Sequence, residues 1–206
     1  MQTSYRDRCR PAFLALCIAV LLIPGTALAL TAEYRIVPEG SAYQGSVELV
    51  NASQYSFAET GLLGERLPVQ VSNVTLLGKC FPPPCTFTWS DRFTISFPEG
   101  DYTLRFVAPI RQNTLVAAFP EPYTVVVRLP PGFDVRNYLI GSLSPGAIVT
   151  EAADGSLTVT WNATRSAELR FYTEERVTLL ALFGQIWVVI AIVLLLPFLF
   201  SRRMRQ

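Results

Sequence analysis

The feature that most constrains this chain is a run of 24 residues near the C-terminus, residues 177–200, that carries no charged side chain. At ~1.5 Å of rise per residue, a helix of this length covers ~36 Å, more than the ~30 Å hydrocarbon core of a bilayer. Backbone amides inside lipid find no water to bond, so such a run must be helical. The sequence therefore predicts a transmembrane helix at residues 177–200.

Positive charge beside this run predicts its orientation. Residues 201–206 form a short basic tail with three arginines, and arginines next to a spanning helix favour the cytoplasmic side. The protein is therefore predicted to be a single-pass cell-membrane protein with a cytoplasmic C-terminus and an extracellular domain at residues 30–176. Within the span, Gln185 has two interpretations. It bonds a partner helix, which is worth about 1 kcal/mol, or it faces water near the outer headgroups.

The N-terminus has the composition of a secretory signal. Three arginines in the first ten residues precede an apolar run, and Ala27-x-Ala29 fits the small-residue pattern of a cleavage site. Residues 1–29 are therefore predicted to be a signal peptide, with a mature chain that begins near Leu30. The alternative is an uncleaved N-terminal anchor, because residues 11–32 are uncharged and long enough to span a membrane. In both cases the chain that follows is exported.

Charge and histidine content restrict the function of the exported part. Residues 31–176 contain 11 Arg and Lys against 15 Asp and Glu, whereas nucleic-acid binding requires a basic face. The whole chain contains no His, the commonest general base and metal ligand. We therefore expect no nucleic-acid partner, no metal and no small-molecule cofactor. The expected partners are the lipid bilayer and a protein of the cell envelope.

Alternating hydrophobicity predicts β-strands throughout the exported part. The clearest strand patterns lie at residues 46–50, 93–97, 102–108, 115–119, 123–129, 156–161 and 167–172, with weaker ones at 33–37, 69–71 and 74–77. Turn signals separate them, among them Pro-Glu-Gly-Asp at residues 98–101 and Phe-Pro-Glu-Pro at residues 119–122. About ten strands predict an all-β, antiparallel β-sandwich of the immunoglobulin or fibronectin type. Two small sandwiches with a seam at residues 120–131 are the alternative.

Cysteine and asparagine patterns predict two modifications that belong outside the cell. Cys80 and Cys85 enclose Phe-Pro-Pro-Pro and are predicted to form a local disulfide, with free thiols or a metal site as alternatives. A metal site would need ligands beyond two thiols. Three N-glycosylation sequons begin at Asn51, Asn73 and Asn162, all within the predicted exported part.

No catalytic motif is present in the sequence: it has no G-x-S-x-G elbow, P-loop, G-x-G-x-x-G or H-E-x-x-H pattern. Asp91 with Glu99, and Asp101 with Glu121, are candidate carboxylate pairs for a glycosidase, although solvated surface positions are the favoured explanation. The sequence favours a non-enzymatic cell-surface protein for binding, adhesion or envelope assembly. The alternatives are an accessory subunit of a membrane complex and an envelope hydrolase that uses carboxylates.

Several segments resemble a known family. They are residues 64–69 (GERLPV), 95–104 (ISFPEGDYTL), 108–113 (APIRQN), 129–137 (LPPGFDVRN), 144–147 (SPGA) and 161–172 (WNAT…ELRFY). These segments are similar to an uncharacterised archaeal family of membrane-anchored proteins, found in methanogens and their relatives, that is a domain of unknown function. The resemblance extends from about Tyr34 to the final helix. It implies a surface-anchored archaeal protein and supplies no catalytic residues.

Overall fold

The structure is a computed structural model that describes residues 30–61 and 65–203. The predicted signal peptide, residues 1–29, lies outside the described residues, as does the end of the basic tail. The elements are β1 (Leu30–Ile36), β2 (Ala42–Ser56), β3 (Ala58–Thr60), β4 (Arg66–Pro68), β5 (Ser72–Gly78), β6 (Thr88–Trp89), β7 (Thr94–Pro109), β8 (Thr114–Leu129), β9 (Phe133–Asp134), β10 (Ser142–Leu143), β11 (Ile148–Glu151), β12 (Leu157–Arg170), β13 (Tyr172–Thr173) and α1 (Glu174–Arg203). The predicted all-β domain followed by one C-terminal helix is confirmed.

Four long strands, β2, β7, β8 and β12, carry most of the sandwich, and three of them join segments that the sequence separates. β12 contains most of 156–161 and of 167–172. β7 contains both 93–97 (from residue 94) and 102–108, and β8 contains both 115–119 and 123–129. The predicted turns at residues 98–101 and 119–122 are therefore bends inside single strands. Pro is tolerated there because the ladder is interrupted: β12 has no partner for residues 119–122 of β8. Residues 69–71, which the sequence weakly predicts to be a strand, do not form one.

The main sheet has the order β10-β12-β8-β1-β2-β7-β5, with β11 also pairing β12 and β6 also pairing β7. Its pairings are antiparallel, as predicted, with one exception. β1 is parallel to β8, and Leu30 lies opposite Tyr123. On its other edge, β1 is antiparallel to β2. The long connection through β2 to β7 allows this parallel pairing, which a short hairpin loop cannot produce. The sheet is therefore mixed.

The main sheet folds over itself, and this makes the two layers of the sandwich. β8 starts near the Ile36 end of β1, because Thr114 N–H donates to Arg111 O (3.0 Å) and Ile110 N–H donates to Ser41 O (2.9 Å). Nine residues later β8 is at the opposite end of β1, and it then returns beside β1 as far as residue 128. β12 pairs with both halves of β8 and bends with it, through register shifts between residues 161 and 166.

Trp161 connects the two layers through the core. Its side chain is 1% exposed, and its Nε1–H donates to Ser144 O at 3.2 Å. Ser144 is fixed to the second half of β12, because it exchanges hydrogen bonds with Glu168 in both directions. The buried residues form one continuous cluster. Residues 120–131 thus hold a bend and the end of β8 within one sandwich, and the single-sandwich form of the prediction is the one observed.

Helix α1 leaves the sandwich directly after β13. Every side chain from residue 175 to residue 195 is exposed. In the described part of the chain, this is the one helix that is long and apolar enough to cross a membrane, over Glu175–Leu195. A helix that is apolar on all sides and packs against nothing is stable in lipid rather than in water. The structure thus has two ends. The "helix end" carries α1, β9 and the loops at residues 37–41 and 110–113. The "far end" carries the bends of the long strands, at residues 49–54 of β2, 118–123 of β8 and 161–166 of β12.

The bend of β12 gives a test of the fold. Ala163 has φ 49°, in the left-handed region. That conformation costs a residue with a Cβ ~1–2 kcal/mol, and glycine avoids this cost but gains entropy in the unfolded chain. We expect Ala163→Gly to raise the free energy of unfolding by about 0.5–1 kcal/mol in urea titrations. Ala167→Gly, at a buried position in regular pairing with Ala117, is the control and should lower it. Equal destabilisation by both would contradict the bend.

Candidate functional site

A cleft of about 790 Å³ lies where the two ladders of the sheet separate. β1 pairs with β2 as far as Ala32 and with β8 as far as Leu30. Beyond these residues, β2 pairs only with β7, and β8 pairs only with β12, among the described strands. Residues of both unpaired edges line the cleft: Ala52, Gln54 and Ser56 on β2, and Val116, Ala118 and Pro120 on β8. Two strand edges therefore border one cleft, and no described strand pairs with either edge there; Ala58 and Glu59 of the short strand β3 also line the cleft.

Aromatic side chains form the inner surface of this cleft. Tyr34 on β1 packs edge-on against Tyr43 on β2, with 5.6 Å between ring centroids, and Tyr43 packs on Phe106 of β7 at 6.1 Å. Tyr55 and Phe57 approach Phe106 from the opposite layer, at 6.5 and 5.1 Å. All five side chains line the cleft. They meet because alternate residues of each strand face the inside of the sandwich.

Three tyrosine hydroxyls in this cleft have no hydrogen-bond partner among the described residues. They belong to Tyr34, Tyr43 and Tyr55, which all line the cleft, and none of their oxygens is a buried atom left unsatisfied. Burial raises the pKa of all three phenols, and nearby Glu59 raises that of Tyr43 further. They are therefore neutral at physiological pH and can both donate and accept hydrogen bonds.

Tyr123, which also lines the cleft, differs from these three because its hydroxyl is engaged. It donates to Glu48 O at 2.8 Å. Burial, with Glu121 and Glu48, raises its pKa to about 12. Its ring stacks on Phe119 across the bend of β8, with 4.2 Å between centroids. Tyr123 therefore stabilises the bend and joins it to β2, and it is less suited to bind a ligand.

The pKa values of two carboxyl groups in the cleft are shifted in opposite directions. The pKa of Glu59 is raised by its partial burial, an effect that the charge of Arg111 partly opposes. The pKa of Asp91 is lowered because its carboxylate accepts the Phe93 N–H at 2.8 Å. Such opposite shifts are typical of acid–base pairs in hydrolases. Asp91, however, is exposed and holds its own turn, which explains its shift without catalysis.

The structure separates the members of the predicted carboxylate pairs. Asp91 and Glu121 line the cleft, whereas their predicted partners Glu99 and Asp101 do not. The Asp101 carboxylate instead accepts the N–H of Asn51, at 3.0 Å, in the bend of β2. The geometry therefore does not assemble either predicted pair, and Glu59, which the sequence did not single out, is the half-buried carboxyl group of the cleft.

Cys80 and Cys85 lie away from the cleft, on the outer edge of β5. Their sulfur atoms are 1.96 Å apart, a disulfide distance. Cys85 N–H donates to Leu76 O at 2.8 Å, so the loop that they close covers part of the edge of β5. Covering an edge strand protects it from pairing with another chain. The cysteine pair thus has a structural role that does not depend on a ligand.

The three predicted sequon asparagines, Asn51, Asn73 and Asn162, are all exposed. Each lies at a register shift of its strand. Asn51 and Asn73 have φ values of 50° and 51°, in the left-handed region where Asn is enriched. Local backbone geometry is therefore a sufficient reason for asparagine at these two positions. Asn162 precedes left-handed Ala163 at the exposed bend of β12. Glycosylation remains a prediction for all three.

The titration of Glu59 predicts a pH dependence. Because its pKa is higher in the folded protein, folding favours the protonated form, and stability is lost as pH rises through that pKa. The side chain of Glu59→Gln cannot ionise. The melting temperature of the variant minus that of the wild type should therefore increase when the pH is raised from 3.5 to 7.5. Thermal unfolding at both pH values measures this, with Glu99→Gln, outside the cleft, as the control. A Glu59→Gln difference that is unchanged between the two pH values would refute the assignment.

The cysteine pair predicts a measurable contribution to stability. A loop this short, with a sequence separation of 5, is expected to contribute about 2 kcal/mol through restriction of the unfolded chain. A reductant should therefore lower the urea midpoint of the wild-type protein and leave a Cys80→Ser, Cys85→Ser double variant unchanged. Peptide mass spectrometry after maleimide treatment of intact membranes should find both thiols unlabelled. Full labelling without a reductant would contradict export to an oxidising compartment.

Comparison with known proteins places the chain in a family. A family described as "Family of unknown function (DUF5803)" matches residues 87–206. The match covers β6 to β13 and helix α1, including the β8 wall of the cleft, and begins after Cys85. No curated protein matches the chain. The expected membership of an uncharacterised family is confirmed, because the match covers more than half of the chain. The protein therefore belongs to the DUF5803 family, whose function is unknown.

Proposed function

We propose that this protein is a non-enzymatic binding protein, displayed at the cell surface by helix α1, whose cleft takes an extended segment of another envelope protein. The observation that carries the proposal is that two strand edges, which no described strand pairs, both line one aromatic cleft. Adhesion and envelope assembly both require such a protein–protein contact.

The unpaired edges favour an extended peptide over a compact ligand. The edges of β2 and β8 present backbone N–H and C=O groups that no described strand satisfies. An added strand can satisfy such groups, and its alternate side chains then point into pockets below. Here those pockets are aromatic, with the hydroxyls of Tyr34, Tyr43 and Tyr55 available to polar groups of the peptide. Backbone pairing would supply affinity and the tyrosines specificity.

The charges at the cleft indicate what kind of segment fits. Among the described lining residues, Glu59, Asp91 and Glu121 face one cation, Arg66, and the charge of Arg111 also acts on Glu59. This acidic excess favours a segment that alternates apolar residues with at least one Lys or Arg. Electrostatic complementarity of this kind affects partner choice and association rate more than affinity.

Cell-surface placement is part of the proposal. It is supported by helix α1 and by the arginines that follow it, which favour a cytoplasmic C-terminus. In this orientation the sandwich, the cysteine pair and the sequons are extracellular. The archaeal origin implied by the sequence resemblance belongs to the same proposal. The accessory-subunit alternative shares the binding role but uses α1, on which Gln185 is exposed, as the contact.

A carboxylate-dependent hydrolase is the second candidate. The raised pKa of Glu59, in a cleft that the ionised Asp91 also lines, favours it. In that mechanism Glu59 would act as general acid, and Asp91 would remain ionised beside the substrate. Glu59→Gln would then abolish turnover, whereas a binding cleft would keep its partner, because Gln has nearly the same size.

Site-directed photo-crosslinking in native membranes tests the binding function. A photoreactive phenylalanine analogue replaces Ala118, which is exposed on the β8 wall of the cleft. The matched control is Ala153, an exposed alanine in the turn before β12 and outside the cleft. We expect one discrete adduct from position 118 and none from position 153. Mass spectrometry should locate the crosslink in an extended, Lys- or Arg-containing segment of the partner.

A blocking variant separates specific binding from proximity. Gln54→Trp places a large side chain on the opposite wall at an exposed position, so it should fill the cleft without disturbing the core. It should remove the adduct from position 118. The same adducts at positions 118 and 153, or an adduct that survives Gln54→Trp, would contradict binding in the cleft.

A further inference from the structure

Two large apolar side chains are exposed side by side near the base of helix α1. Tyr138 is 88% exposed and Leu139 is 66% exposed. They lie in the loop between β9 and β10, residues 135–141. The aromatic cleft does not include them. Their exposure therefore has no explanation in the packing of the sandwich or in the proposed binding site.

The loop that carries them is held in one shape by Asn137. Its carbonyl oxygen accepts N–H groups from Ile140 (3.3 Å) and Gly141 (2.7 Å), and its side-chain oxygen accepts the Leu139 N–H at 3.0 Å. Its own N–H donates to the Tyr172 hydroxyl at 3.0 Å. Since Tyr172 is buried, the loop is anchored to the sandwich, and the exposed pair sits on a firm base.

The loop also lies close to the level at which α1 would enter a membrane. Tyr172 is in β13, and α1 begins two residues later at Glu174. Val177, the first residue of the charge-free run, lies three residue steps along the helix from Glu174, which is ~4.5 Å. The headgroup layer on each side of the hydrocarbon core is ~5–7 Å deep. If the core begins at Val177, then β13 and the loop bonded to it lie at the depth of the headgroups.

We propose that Tyr138 and Leu139 insert into the interface of the same bilayer that α1 crosses, as a second attachment point. The proposal rests on α1 spanning a membrane, and it does not require the cleft to bind a peptide. Tyrosine is enriched at membrane interfaces because its ring is apolar while its hydroxyl remains hydrated. Leu139, beside it, can reach the outer part of the hydrocarbon.

The charges around the loop are compatible with this contact. Arg136, just before it, is paired with Asp134 at 2.9 Å and with Glu151 at 2.8 Å. Its charge is therefore matched within the sandwich. A helix alone would leave the sandwich free to tilt about residues 173–176, whereas a second contact beside the helix base limits that tilt. The bends at the far end, and the mouth of the cleft beside them, would then face away from the bilayer.

Fluorescence quenching by lipids measures the contact directly. The full chain, with Cys9 and Cys17 replaced by Ser and the Cys80–Cys85 pair kept oxidised, carries a bimane label at Leu139→Cys. It is reconstituted in nanodiscs whose lipids bear a nitroxide at a shallow acyl position. The matched control is Val50→Cys, which is 59% exposed in the bend of β2 at the far end. Of the three native tryptophans, Trp187 is the one within α1, so the part of the tryptophan emission that deep nitroxides quench reports insertion of the helix itself.

We expect at least twofold quenching at position 139, none at position 50, and quenching of Trp187 by nitroxides placed deeper in the bilayer. Equal, weak quenching at positions 139 and 50 beside a quenched Trp187 would overturn the proposal and leave the membrane helix intact. An unquenched Trp187 would overturn the helix assignment and the interface contact together. In either case, crosslinking at position 118 tests peptide binding in the cleft independently.

Discussion

The arrangement of this sandwich depends on the double pairing of one short strand. β1, seven residues long, is antiparallel to β2 on one edge and parallel to β8 on the other. It is the junction through which the β2–β7 ladder and the β8–β12 ladder become one sheet. Within the described residues, the pairing of β1 extends from Leu30 to Ile36. The part of β2 and the part of β8 that lie outside this pairing line the cleft.

Bending of the long strands then decides what lies at each end. Bulges and interrupted pairing let 14- to 16-residue strands cover both layers of the sandwich. Asn51 and Asn162 lie in these bends, at the far end, together with the mouth of the cleft. The opposite end carries β13, α1 and the Tyr138–Leu139 loop. The fold therefore separates a candidate binding end from a candidate membrane end.

The polar groups of the cleft come mainly from tyrosines, because the core buries no charged or polar side chain among the described residues. Polar capacity inside the sandwich therefore comes from tyrosine, whose ring packs as a hydrophobe while its hydroxyl reaches the cleft. Among the described residues of the cleft, Glu59, half-buried at the edge, has a carboxyl group whose pKa is raised, and burial is the main cause. This composition suits recognition by hydrogen bonds and aromatic contacts.

The sequence by itself determined the class of fold and the helix that suits a membrane, because alternating hydrophobicity and a charge-free run are local properties of the chain. Strand segments such as 102–108 and 123–129 were found correctly for this reason. Their fusion into long bent strands was not, because Pro and Gly signal a break equally for a turn and for a bulge. The cleft was decided only by the tertiary structure. Tyr34, Tyr43 and Tyr55 lie 9 and 12 residues apart and form no motif, and they meet because β1 and β2 pair and the β2–β7 ladder folds over them.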